Sequence, residues 1–142
     1  MSNWQPRTQI PGLQVSVSQT TTPLLPGASA VLDLAGLGRL GHFIAVSSDA
    51  PAWLSFYSSA AAREADGSRP LSRDPAPGSG VLLDLVTTAN ALAITAPPGG
   101  TYFCSDVAPN GSATPVLRAL VRNNGTAQAA IAITVTAVVL AP

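Results

Sequence analysis

A catalytic triad in this chain would have to be built on His42, its single histidine, with a serine and a carboxylate brought beside the ring. No serine stands in a nucleophile-elbow sequence. The run Leu40-Gly41-His42-Phe43-Ile44 sets the ring on one face of a strand with Leu40 and Ile44, a structural position near a sheet edge. Cys104, the single cysteine, follows Tyr102 and Phe103 and reads as a small buried hydrophobe rather than a nucleophile. One histidine and one cysteine fall short of a nitrogen/sulfur zinc site, and the acidic residues are scattered singly. Gly78-Ser79-Gly80 lacks the Gly-Lys-Ser/Thr that completes a phosphate loop. With no lysine in the sequence, Schiff-base chemistry is excluded. The expectation is a non-enzymatic chain with no metal and no cofactor.

The chemistry that remains is ionic. Arg63, Glu64, Asp66, Arg69, Arg73 and Asp74 are six of the fourteen charged residues, so the twelve positions they span are the most polar stretch of the chain. Asp66 and Asp74 could form a carboxylate pair, but the interleaved arginines argue that both are neutralised in surface salt bridges. Arginine's planar fork suits protein interfaces. Trp4, an aromatic in the N-terminal arm, is of the kind that docks into a partner's pocket. These seven residues are the candidate interface set.

The elements that must position them are strands. Trp53, Phe56 and Tyr57 lie in an aromatic, alternating segment, and Val81 to Val86 is an apolar run broken only by Asp84. Between them Ser59 can cap a helical turn of Ala60, Ala61 and Ala62, and Asp66-Gly67 stops it. Pro70, Pro75 and Pro77 hold the return path extended. Before this loop, strands are expected at Leu13 to Ser18, Ala30 to Leu34, Leu40 to Ser47 and Ala52 to Ser58. After it they are expected at Val81 to Thr88, Ala91 to Thr95, Thr101 to Ser105, Val116 to Arg122 and Ala127 to Leu140. Turn signals at Pro97-Pro98-Gly99-Gly100 and Asn110-Gly111 separate them, and Asn123-Asn124-Gly125 reads as a hairpin turn joining the last two. Both asparagine turns match the glycosylation acceptor pattern and are read as turns. The expected architecture is all-β: an extended arm over residues 1–12, then one β-sandwich over 13–142 with about eight strands and a short helical insertion, a jelly roll being one topology open to it.

At 142 residues the chain is long enough for one domain with a real core. Charged residues make up 10% of it and the net charge is zero, which leaves little repulsion between copies. No basic face is present to attract nucleic acid, no segment has the roughly twenty apolar residues of a spanning helix, and the first residues lack the pattern of a secretory leader. Residues 123–142 contain no charge; an exposed strand of that kind invites aggregation, so it should be paired on both sides or covered by a neighbour.

The segment from Trp53 to Thr88 carries a resemblance. Its Trp53-x-x-Phe56-Tyr57-x-Ser59-Ala60-Ala61-x-Arg63 core, Ala65-Asp66-Gly67-Ser68-Arg69, and Asp74-Pro75-Ala76-Pro77-Gly78-Ser79-Gly80-Val81 leading to Thr87-Thr88 resemble small structural proteins of tailed bacteriophages, including phages and prophages of cyanobacteria. The Thr-rich last strand is similar too. The resemblance implies a non-enzymatic virion component, made in the host cytoplasm, whose partners are copies of itself and other virion proteins. Three readings from different classes remain: a tail-associated assembly module at a baseplate or fibre, presenting the Arg63 to Asp74 loop to a neighbour; a capsid cement protein; or, on the aromatics alone, a carbohydrate- or receptor-binding module that stacks a glycan on Trp53 or Trp4.

Overall fold

The computed structural model describes residues 12–88, 94–95, 100–108 and 113–142, with 94–95 described by backbone alone. Trp4 and the expected arm through residue 11, the start of the strand expected at 91–95, and the turns at 97–99 and 110–111 lie outside these residues. The elements run β1 (Leu13–Thr20), β2 (Ser29–Ala35), β3 (Leu40–Ser48), β4 (Ala52–Tyr57), α1 (Ala60–Asp66), β5 (Val81–Val86), β6 (Ile94–Thr95), β7 (Thr101–Phe103), β8 (Asp106–Val107), β9 (Pro115–Asn123) and β10 (Ala132–Ala141).

They form two antiparallel sheets packed face to face. Sheet one has the order β1-β10-β3-β6 with β7 also on β3; sheet two has β2-β9-β4-β5 with β8 also on β9. The pairings are nested: β1 with β10, β2 with β9, β3 with β6 and β7, β4 with β5. The chain is thus one long hairpin, doubled back at the segment between β4 and β5 and rolled so that its pairs alternate between sheets. That is the strand order of a jelly roll.

One expectation fails here. The turn chemistry of Asn123-Asn124-Gly125 predicts a β9–β10 hairpin, yet the two strands lie in different sheets, and this turn carries the chain across the sandwich. The cause is the Asn123 side chain. Its Nδ2 donates to the carbonyls of Leu24 and Ala127, at 2.8 and 2.9 Å, and its Oδ1 accepts from Gly125 N. The turn is tied to the β1–β2 connection instead of returning along β9. β8, in a stretch whose turn signals predict a loop, is a short strand on β9.

Alternation fills the core. Ile133, Val135, Ala137 and Val139 of β10 are fully buried while Thr134, Thr136 and Val138 face outward. Phe43, Phe56 and Tyr102 meet in the middle, with ring centroids 5.5 and 5.1 Å apart, and the buried Tyr102 hydroxyl donates to the Leu37 carbonyl at 2.6 Å. Tyr102 fits only because residue 41 is glycine: a Cβ there would collide with its hydroxyl and with the Val138 carbonyl. Cys104 lies in this core, as its apolar neighbours suggest, and burial pushes its thiol up to about 11.

Helix α1 begins where Ser59 caps it, the hydroxyl accepting from Ala62 N at 3.1 Å. A seven-residue helix has little stability of its own. It is held from outside: Asp106 accepts from Ala60 N at 2.6 Å, and the helix packs on β4 and β9.

Candidate functional site

Every residue of β4 is buried, although only one face of a sandwich strand meets the core. Its inner face gives Leu54 and Phe56 to the core cluster. Its outer face, Trp53, Ser55 and Tyr57, is covered by α1 and the loop that follows. Between loop and sheet lies a layer built from four arginines and four aspartates.

Arg69 reaches down from the loop and binds Asp66 through Nε and Nη2, at 2.7 and 3.1 Å. Its guanidinium also meets Asp84 of β5 at 3.2 Å, and its Nη1 donates to the Arg73 carbonyl at 2.7 Å. Asp84 in turn accepts from Trp53 Nε1 at 2.7 Å and Ser55 Oγ at 2.6 Å. Tyr57 donates its hydroxyl to Asp66 at 2.6 Å. Arg122 of β9 lies 3.5 Å over the Trp53 ring, close enough for a cation–π contact, and donates to Ser55 Oγ at 3.0 Å. A second group sits toward β2: Arg63 and Arg118 both bind Asp33, at 2.8 and 2.9 Å. Arg118 also meets Asp106 at 3.2 Å, and Arg63 donates to the carbonyls of Leu32 and Ala119.

Burial works against the carboxylates of Asp66 and Asp84, but hydrogen bonds outweigh it, from Arg69 and Tyr57 in one case and from Arg69, Ser55 and Trp53 in the other. Both acids are held below the usual carboxylate range. Asp33 is lowered in the same way, against burial, by Arg118 and Arg63. Burial and the neighbouring Asp66 raise Tyr57, and the bonds to Asp66 raise Arg69. Acids held ionised and bases held protonated are poor at moving protons near neutrality. The layer is built to stay charged and to hold the loop on the sheet. Arg122 Nη2 makes no hydrogen bond, and its nearest carboxylate oxygen is Asp66 Oδ2 at 3.9 Å.

The expected interface loop therefore needs correcting. Arg63, Asp66 and Arg69 point inward, with side chains 12%, 8% and 7% exposed, and the Asp66–Arg69 bridge is buried rather than superficial. Arg63 finds its partners on β2 and β9, and Arg69 adds Asp84 of β5 to the local Asp66; the local sequence does not reveal these strands. Glu64, Arg73 and Asp74 are exposed; Arg73 and Asp74 line an open cleft of about 360 Å³ with Ser68 and Ser79.

The missed members of the layer are Asp33, Asp84, Asp106, Arg118 and Arg122. A signal was present: Asp84 interrupts an apolar run, and Arg118 and Arg122 stand four apart in a strand, on the face opposite Leu117 and Val121. Trp53 is buried as expected, but beneath the loop rather than between the sheets, and with Arg122 over its ring and 6% exposure it offers no glycan platform. His42 is exposed on β3, a strand with neighbours on both sides, rather than at a sheet edge. It belongs to the sheet opposite the ionic layer, so no triad joins it to these aspartates. Among the described residues no group of three or more His, Cys, Asp or Glu is placed to hold a metal, and no helix is long and apolar enough to cross a membrane. Compared with protein families, with curated proteins and with solved structures, the chain matches none.

Proposed function

We propose that the chain is a non-enzymatic structural module of a tailed-bacteriophage particle, tail-associated at a baseplate or fibre, that works as a homo-oligomer. A jelly roll by itself carries no function. The observation that carries the reading is where the charge goes. Eight of the fourteen charged residues are spent in one internally neutral layer, and that layer clamps the very segment, Trp53 to Thr88, whose sequence resembles tailed-phage structural proteins. The sandwich is left weakly charged outside, as suits a subunit whose surfaces are covered by neighbours.

Quantitative mass spectrometry of intact particles, with tails and shells separated, tests the placement. The chain should fractionate with tails at a copy number that is a small multiple of three or six. A copy number that follows the facets of the shell would replace this placement with capsid cementing, and absence from particles would remove the virion reading. Arg73 and Asp74, not Arg69, are the loop positions at which charge reversal can probe a neighbour, because reversing Arg69 would break the fold before it touched a contact.

A further inference from the structure

The outer face of sheet one differs from that of sheet two. Alternation places Ser16 and Ser18 of β1 and Thr134, Thr136 and Val138 of β10 on it, and among the described residues of these strands it carries no aspartate, glutamate or arginine. Four of its hydroxyls are already satisfied: Ser16 and Thr136 hydrogen-bond at 2.8 Å, Ser18 and Thr134 at 2.7 Å. Such pairs can be dried without leaving an orphaned donor, so burying this part of the face costs little; the exposed His42 of β3, opposite Val138, is the polar ring beside it. Toward one end the face turns apolar, with Leu40, Phe103 and Leu140 each 40 to 49% exposed; Leu40 and Phe103 stand directly opposite each other.

We infer that this face is the contact surface for a second copy of the chain, packed sheet to sheet across a twofold axis. The inference rests on the homo-oligomer reading above and adds the surface. Three observations favour an identical copy. The strands β1, β10 and β3, of eight to ten residues, give three lanes about 30 Å long, and β6 and β7 add five residues of a fourth; the face is about 500 Å², or about 1,000 Å² over two copies, at the lower bound for a specific interface. Small side chains allow the roughly 10 Å approach of stacked sheets. Finally, the two ends of β3 carry exposed opposite charges, Arg39 before it and Asp49 after it. With β3 antiparallel in the two copies, each Arg39 end meets the other copy's Asp49 end.

Sedimentation equilibrium of the full chain tests this with three variants, their folding checked by circular dichroism. Thr136→Lys puts a charge in the middle of the face and should weaken self-association at least about thirtyfold, the low end for an unpaired charge at an interface. Val31→Lys, on the outer face of sheet two, should leave it unchanged. Arg39→Asp and Asp49→Arg should each weaken it, and the double swap should restore it. If Thr136→Lys associates like the wild type, or Val31→Lys is the variant that dissociates, the face is wrong while the homo-oligomer reading survives. A wild type that stays monomeric at all concentrations overturns both.

Discussion

Replacing Asp66 by asparagine keeps the size of the side chain and one acceptor for Tyr57 but removes the charge that Arg69 grips with two bonds. The side chains of Asp66 and Arg69 are 8% and 7% exposed, so water cannot take the carboxylate's place. Arg69 would keep Asp84 as its one counter-charge, besides the Arg73 carbonyl, and Arg122, whose Nη2 already lacks a hydrogen bond, would lose its nearest counter-charge. Breaking one side of a buried pair costs about 3 to 5 kcal/mol; the acceptor that asparagine retains sets the expectation at about 3 kcal/mol. For a chain of this length that is a fall in melting temperature of about 10 °C. Urea and thermal denaturation at pH 7 measure it. The pH dependence gives a second, sharper reading. Asp66 has a folded pKa below its unfolded one, so its contribution is fully present above about pH 4, the unfolded value, and is lost as pH falls through the folded value. The gap between wild type and Asp66→Asn should therefore be widest near neutrality and close below about pH 4. A loss under about 0.5 kcal/mol, the size of an ordinary surface change, or a gap that stays constant down to pH 2, would refute the claim that the carboxylate's charge holds the loop.

Three further outcomes are expected. Gly41→Ala should cost several kcal/mol, beyond the ~1 to 3 kcal/mol of ordinary overpacking, because its Cβ meets a backbone carbonyl as well as the Tyr102 hydroxyl; adding Tyr102→Phe should recover part of the loss in the same urea titration. Cys104, buried with its thiol raised to about 11, should stay unreactive toward a thiol reagent at pH 8 in the native state and react at once in denaturant; native-state modification at the rate of a free thiol would contradict its burial. Glu64→Ala, Arg73→Ala and Asp74→Ala should each change stability by less than about 0.5 kcal/mol, in contrast to Asp66→Asn, and equal losses across both sets would mean the inward and outward assignments of the loop are wrong.

The strands were legible wherever one face is wet: Ser16, Ser18, Thr134 and Thr136 betray β1 and β10 by their spacing, and Ser59 with its alanines announces α1. The strand order was not, because pairing is decided between residues far apart, such as Ser16 and Thr136, 120 positions distant. The misread hairpin shows the limit clearly. Asn123-Asn124-Gly125 has turn chemistry, and turn chemistry does not say whether the chain comes back along its own sheet or crosses to the other; that is settled by Leu24, 99 positions away. The loop misled for a related reason. Six charges in twelve positions look solvated when counted locally, yet three of them have partners on other strands that draw them inward, Asp33 for Arg63, Tyr57 for Asp66 and Asp84 for Arg69. Arg63 alone reaches carbonyls 31 and 56 positions off. Asp84, Arg118 and Arg122 were visible as charges in apolar strands, but a sequence cannot show that their outer face has a cover.

The nested pairing also constrains how the molecule comes into being. β10 lies between β1 and β3, so these two strands, both made before it, have no common neighbour until residues 132–141 have been synthesised. Sheet one can close only then. The β4–α1–β5 tip needs far less: its strands are joined by a single loop, and the bridges from Arg69 to Asp66 and Asp84 lie wholly within it. Folding that starts at this tip and closes one nested pair after another leaves each later closure a shorter effective loop, which lowers its entropic cost. The edges of β1 and β3 would thus wait longest for their partner, and the interval before β10 arrives is when the nascent protein is most exposed to aggregation.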